Sequence, residues 1–259
     1  MAFKKLKLWF DEDLASLLST KIKVHHPSFP KSRYTKFVKN SVADLELKAR
    51  VELMADGLHE YMTGSYESDI SIMMKILGPE NEEETGMFTT YYWLMPVAKY
   101  VEKYGQDHFA TSMKIIEEIT KRNTGEYTIR PYLVKYPKKA LAQMKKWSKS
   151  PNKHVRRLSS EGVRPRLPWA SKLEQFIDDP IAILPILMTL KNDPSKYVQK
   201  SVANCINDML KDNPNNAKEI IEKWAVKPSP ECKWIIKHAI RNLRKIKDPW
   251  ALNIVLKIS

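Results

Sequence analysis

Asp193-Pro-Ser-Lys-Tyr-Val-Gln-Lys-Ser-Val-Ala-Asn-Cys-Ile-Asn-Asp208 reads as a helix whose start is written into it. Asp193 supplies a capping carboxylate, Pro194 marks the first helical position, and a basic residue and an apolar anchor follow. Val198, Val202, Cys205 and Met209 then step by 4, 3 and 4, which keeps them on one face of a 3.6-residue period. The same opening recurs at Ser150-Pro-Asn-Lys-His-Val-Arg-Arg157 and at Ser229-Pro-Glu-Cys-Lys-Trp-Ile-Ile-Lys237. The three prolines lie 43 and 36 residues apart (194 − 151 and 230 − 194). A period near forty with two helices per unit is the signature of HEAT-like repeats. Such repeats stack into a solenoid whose second helices line a trough.

The rest of the chain agrees. Leu47, Val51, Met54, Leu58 and Tyr61 share one helical face, as do Phe109, Met113, Ile116 and Ile119, and Ile236, Ile240 and Leu243. Gly is rare, and breaks at Gly78-Pro79, Thr124-Gly125, Pro137, Pro151, Pro214 and Asp248-Pro249 leave elements mostly 12 to 20 residues long. Strand-like alternation is hard to find. The expected class is all-α, with residues 1–40 as an N-terminal helical cap on a single repeat domain spanning 1–259.

Charge then points to a partner. Residues 130–172 hold thirteen Lys/Arg against one acid, Glu161, so this window nets +12 of a whole-chain +14. A charge run is usually a solvated face, but solvated faces mix signs, and this one does not. A concentrated basic face is the electrostatic footprint of a polyanion binder, nucleic acid first. Arg164-Pro-Arg166, stiffened by proline, is suited to gripping successive phosphates. Cys205 and Cys232 fall in apolar helical patterns and are expected as buried thiols. The six His are scattered without metal-ligand spacing, His25-His26 beside Pro27 in a turn, so no metal and no cofactor is expected. The start lacks a long apolar stretch and no run approaches a membrane span, which gives no signal peptide, no membrane partner and a cytoplasmic location as expectations. Glu80-Asn-Glu-Glu-Glu84 reads as a solvated acidic loop.

Two carboxylates stand out. On the helix quoted first, Tyr197, Ser201, Asn204 and Asp208 form a polar stripe that would face a partner in the trough. A carboxylate facing phosphates lowers affinity, so Asp208 is either an ordinary solvent-facing residue near the helix end or has chemistry to do. Glu126, after Thr124-Gly125, falls in a first helical turn where the dipole favours acids, and pairs by spacing with Arg130. Both readings stay open on the residues alone.

Glu126-Tyr-Thr-Ile-Arg-Pro-Tyr132, His154-Val-Arg-Arg-Leu-Ser-Ser-Glu-Gly-Val-Arg-Pro-Arg-Leu-Pro-Trp169 and Tyr197 to Asp208 closely resemble the bacterial AlkC branch of the AlkC/AlkD-like DNA alkylation-repair glycosylases. The resemblance runs from about residue 40 to the end, and Arg164-Pro-Arg-Leu-Pro-Trp169 is its most specific part. It implies a right-handed superhelical solenoid of HEAT-like repeats. It also implies a nucleoid-associated, monomeric enzyme that hydrolyses the N-glycosidic bond of cationic N3-alkylated bases, 3-methyladenine and 3-methylcytosine, in duplex DNA. By that likeness Glu126 and Asp208 match the active-site carboxylates and Trp169 an aromatic beside the lesion. Lys153, Arg156, Arg157, Arg164, Arg166, Tyr197, Lys200, Ser201 and Asn204 are then the expected DNA contacts. Some members carry a C-terminal immunoglobulin-like domain, and DNA contacts of such a domain are not expected of this chain. The chemistry is coherent: a cationic base leaves neutral, so no acid need protonate it, and ionised carboxylates can attract the oxocarbenium and orient water. Alternatives are a non-catalytic HEAT-repeat protein binding damaged or branched DNA, and an adaptor with an acidic partner.

Overall fold

The computed structural model describes residues 4–85 and 90–259, and among them all regular structure is helical. The chain divides into two compact units, one of residues 1–81 and 86–131, the other of 82–85 and 132–259.

The first unit carries α1 (Glu12–His25), α2 (Lys31–Ser41), α3 (Leu47–Met62), α4 (Tyr66–Ile76), α5 (Met95–Tyr104) and α6 (Phe109–Thr120). It also holds the start of α7 (Glu126–Lys135), through Pro131. Its helices begin where capping chemistry allows: Asp11 accepts from the Asp13 and Leu14 amides, and Ser65 from the Ser68 amide. The core is the periodic face read from the sequence, with Val51, Met54, Leu58, Met113, Ile116 and Ile119 all buried. At Gly57 the neighbouring helix comes so close that an added Cβ would lie 2.8 Å from the Tyr34 ring, which is why a glycine sits there inside α3.

The second unit carries α8 (Pro137–Trp147), α9 (Lys153–Glu161), α10 (Glu174–Asp178), α11 (Leu184–Leu190), α12 (Lys196–Asp212), α13 (Pro214–Trp224), α14 (Pro230–Ala239), α15 (Arg241–Lys245) and α16 (Pro249–Lys257). The three repeated openings do start helices. Asn152, Ser195 and Ser229 are the caps, accepting from the amides of His154 and Val155, of Val198, and of Cys232. The register differs from the expectation at two of them. Pro151 and Pro194 stand just before the capping residue, not at the first helical position, because Asn152 and Ser195 outbid Ser150 and Asp193 for the exposed amides. Val198, Val202, Cys205 and Met209 are fully buried, α12 packs between α9 and α14, and both cysteines are free, buried thiols. No described helix is long and apolar enough to cross a membrane, and no cluster of described His, Cys, Asp or Glu could hold a metal ion.

Candidate functional site

Asp208 lies near the C-terminal end of α12 and is 1% exposed, not solvent-facing. Arg164, in the loop after α9, donates from Nε to Asp208 Oδ2 at 2.8 Å and from Nη1 to Glu161 Oε1 at 2.7 Å. Arg157, one turn before Glu161 on α9, reaches the same Oε1 at 3.4 Å, and Lys211 approaches Asp208 Oδ1 at 3.4 Å. The result is a buried chain of alternating charge, Arg157–Glu161–Arg164–Asp208. Burial alone would push the Glu161 carboxyl up, but the charges of Arg157 and Arg164 outweigh it and hold the group below the usual carboxylate range. Burial works against the Arg164 cation as well, and Glu161 and Asp208 reverse that, so its charge is locked in. Glu161 is the hub that the sequence reading passed over, counting it only as the lone acid of a basic window. Its signal was its position, one helical turn after Arg157 and three residues before Arg164.

The other expected contacts fall into three groups. Arg156 is bidentate to Asp193, at 2.6 and 3.2 Å, and also donates to the carbonyls of Ser150 and Pro151, so it rivets the start of α9 to the turn before α12. Arg166 holds Asp212, its Nε 2.7 Å from Oδ2. Lys153 donates to the Glu82 carbonyl at 2.6 Å and lies 4.0 Å from Glu84, so the acidic loop meets a cation where plain solvation was expected. Arg164 and Arg166, read from the sequence as a phosphate grip, are thus both engaged with carboxylates of α12 in this structure. Of the α12 stripe, Ser201 is buried, sharing a 2.7 Å hydroxyl contact with Ser160 of α9. Tyr197 lies under the Arg157 guanidinium at 5.0 Å, and Asn204 accepts from Arg241 at 3.1 Å. Lys200 alone among them is exposed.

The seam continues onto α14. Trp234 stacks on His238 with ring centroids 4.8 Å apart, and Lys196 lies 4.7 Å over the Trp234 ring. Burial, then Arg241 and Lys200, depress the His238 imidazole. None of Trp234, His238 and Arg241 was singled out from sequence. Counted from the caps, though, Arg157, Lys200 and Trp234 all sit at the fifth position of their helices (152 + 5, 195 + 5, 229 + 5).

Trp169 is 80% exposed and its backbone is left-handed, φ 66°. The loop beneath it is pinned by buried Val163 and Leu167 and by the Leu173 amide on the Pro165 carbonyl, 3.1 Å. A bulky residue in that conformation is strained, and such strain gathers at ligand-contacting positions. Glu126 belongs to the first unit, in the first turn of α7, 7% exposed, with Arg130 one turn on at 6%.

A family model described as "DNA alkylation repair enzyme" matches residues 97–243. The Bacillus subtilis (strain 168) protein YhaZ is 37% identical over 248 residues, covering 95% of this chain and 67% of its own length. The solved structure of Pseudomonas fluorescens alkylpurine DNA glycosylase AlkC bound to DNA containing an abasic site analog matches with a TM-score of 0.88 at 32% identity, covering 98% of this chain and 68% of that one.

Proposed function

We propose that this chain, which belongs to the DNA alkylation repair enzyme family, is a monofunctional, monomeric DNA glycosylase that releases cationic N3-alkylated bases from duplex DNA. The observation that carries the reading is the buried Asp208 carboxylate held by Arg164 at 2.8 Å. In water a guanidinium and a carboxylate attract weakly, and burying both is costly unless the geometry is good. A fixed negative charge in a poorly solvated place is what a developing oxocarbenium needs. In the proposed step the C1′–N bond breaks and its electron pair neutralises the departing cationic base. A water oxygen bonds to C1′, its proton passing to a carboxylate such as Asp208. No proton donor to the base is required, because a cationic base leaves neutral.

Around that centre, Glu161 and Arg164 position Asp208, and Trp169 offers an exposed ring to the cationic base, a contact worth on the order of 0.5–2 kcal/mol. Lys153, Arg157, Arg166, Tyr197, Lys200 and Asn204 form the DNA-facing set, with α14 beside them, while Arg156 and Ser201, expected as contacts, hold helices in register. The likeness to AlkC, a glycosylase solved on DNA, supports the assignment.

The test is base release from defined methylated duplexes. Wild type should free 3-methyladenine and 3-methylcytosine and leave uracil or hypoxanthine in place. Glu126→Gln and Asp208→Asn should each cut single-turnover release by about 10²–10³, with helicity and duplex affinity retained. Wild-type rates in both variants, or efficient uracil release, would sink the mechanism; binding without release by the wild type would favour the non-catalytic reading.

A further inference from the structure

Among the thirteen cations of residues 130–172, four arginines and Lys153 are taken up by acceptors of the chain. Arg156, Arg157, Arg164 and Arg166 are each turned onto a carboxylate. The lysines of α8 are not. At about 100° per residue, Lys138, Lys139, Lys145 and Lys146 fall within about 120° of one another, with exposed Ala142 at the middle of the face. Ala140, Met144 and Trp147 occupy the opposite side, buried where α8 packs on α9 and α11. Lys149 follows in the turn after the helix, also exposed. The lysine face therefore points away from α9, the helix of Arg157 and Glu161.

Helix formation accounts for half of these residues, since Lys145 and Lys146 sit in the last turn, where the dipole favours cations. Lys138 and Lys139 sit in the first turn, where the dipole disfavours cations, and α8 contains no Asp or Glu to offset them. Among the described residues, Lys138, Lys145, Lys146 and Lys149 have no ion-pair partner, and Lys139 only lies 6.0 Å from the Tyr136 ring. Four cations on one face with an alanine between them, and no acid, leave an anion outside the chain as the partner that offsets the charge.

We propose that this face of α8 is a second phosphate-binding surface, separate from the Asp208 neighbourhood, that holds duplex DNA backbone by charge alone. It rests on the reading of the chain as a DNA enzyme. Lys138 and Lys145, like Lys139 and Lys146, lie seven residues apart, about 10.5 Å along the helix axis. Each DNA strand offers a phosphate about every 3.4 Å, so the heads reach separate phosphates. Lysines are flexible point charges without the arginine fork, suited to contacts that read no base and allow sliding. The surface would serve undamaged duplex, which any searching enzyme meets first.

The experiment uses the quadruple variant Lys138→Gln, Lys139→Gln, Lys145→Gln and Lys146→Gln, since Gln keeps helix propensity. Affinity for an undamaged duplex is measured across a salt series, beside single-turnover base release from methylated duplex at saturating enzyme. The log–log salt slope should flatten by about 0.9 for each phosphate lost, with affinity at low salt down more than tenfold. Release at saturation should stay within twofold, and the matching Lys→Arg variant should restore the slope. An unchanged slope and affinity would overturn the proposal while wild-type base release leaves the enzyme reading intact. A saturating rate that falls as far as binding would also overturn it, by placing these lysines in the active site. Wild type that neither binds nor releases would overturn the functional reading itself.

Discussion

Each unit buries an aspartate among helices, and the two surroundings are opposite. In the first, Asp69 is 2% exposed and accepts from the Tyr100 hydroxyl at 2.8 Å, with the Tyr66 ring stacked on Tyr100. Burial pushes the Asp69 carboxyl up, and the hydroxyl bond only partly resists. In the second, Glu161 lies between the Arg157 and Arg164 guanidinium groups and Asp208 accepts from Arg164, and Glu161 is held down in spite of its burial. A neutral partner lets a buried acid give up its charge; a guanidinium does not. Of these two settings, only the second holds a buried carboxylate, Glu161, below its ordinary range in spite of burial.

The sharpest way to break this comparison is to remove the cation. Arg164→Met strands two buried carboxylates and should cost about 3–5 kcal/mol of unfolding free energy in urea denaturation. Asp69→Asn keeps an acceptor for Tyr100 and removes only an acid that burial already disfavours as an anion, so its cost should be no more than about 1 kcal/mol. Equal losses would erase the distinction.

Acid should pull the two regions in opposite directions. Glu161 has a depressed folded pKa, so its contribution is full above the unfolded value of about 4.3 and is lost as pH falls through the folded value. Asp69 has a raised folded pKa, so its contribution is present below about 3.9 and fades as pH rises through the folded value. Glu161→Gln should therefore flatten the wild-type stability loss between about pH 5 and 3. Asp69→Asn should steepen the same loss, because it deletes a term of the opposite sign. Tyr100→Phe should cost about 1 kcal/mol as well, and removing that hydroxyl bond should raise the Asp69 pKa further, visible by carboxyl NMR.

The repeats were legible because caps and apolar steps are local: Ser229 and the Val198-to-Met209 face needed nothing beyond a dozen neighbouring residues, while the cap of α12 was read too early, at Asp193 instead of Ser195. The charge pattern was misleading for a physical reason. Residues 130–172 look unbalanced in one dimension, yet Asp193, Asp208 and Asp212 arrive from 37 to 46 residues away to neutralise Arg156, Arg164 and Arg166. Burial of Asp208 was hidden in the same way, since a polar stripe reads as solvent-facing until another helix covers it. The division of the chain within α7 has no composition shift to announce it, because Glu126 to Lys135 is continuous helical pattern.

The exposed indole at Trp169 has a spectroscopic consequence. Trp147, Trp224 and Trp93 are buried, at 2%, 4% and 7%, and Trp169 is the fully exposed tryptophan among the described residues. Trp9, Trp234 and Trp250 are half-buried, so an aqueous quencher reaches the Trp169 ring first. The chain carries its own fluorophore at the place where a damaged base is proposed to lie, so occupancy of the site can be followed by light, without a label on either molecule.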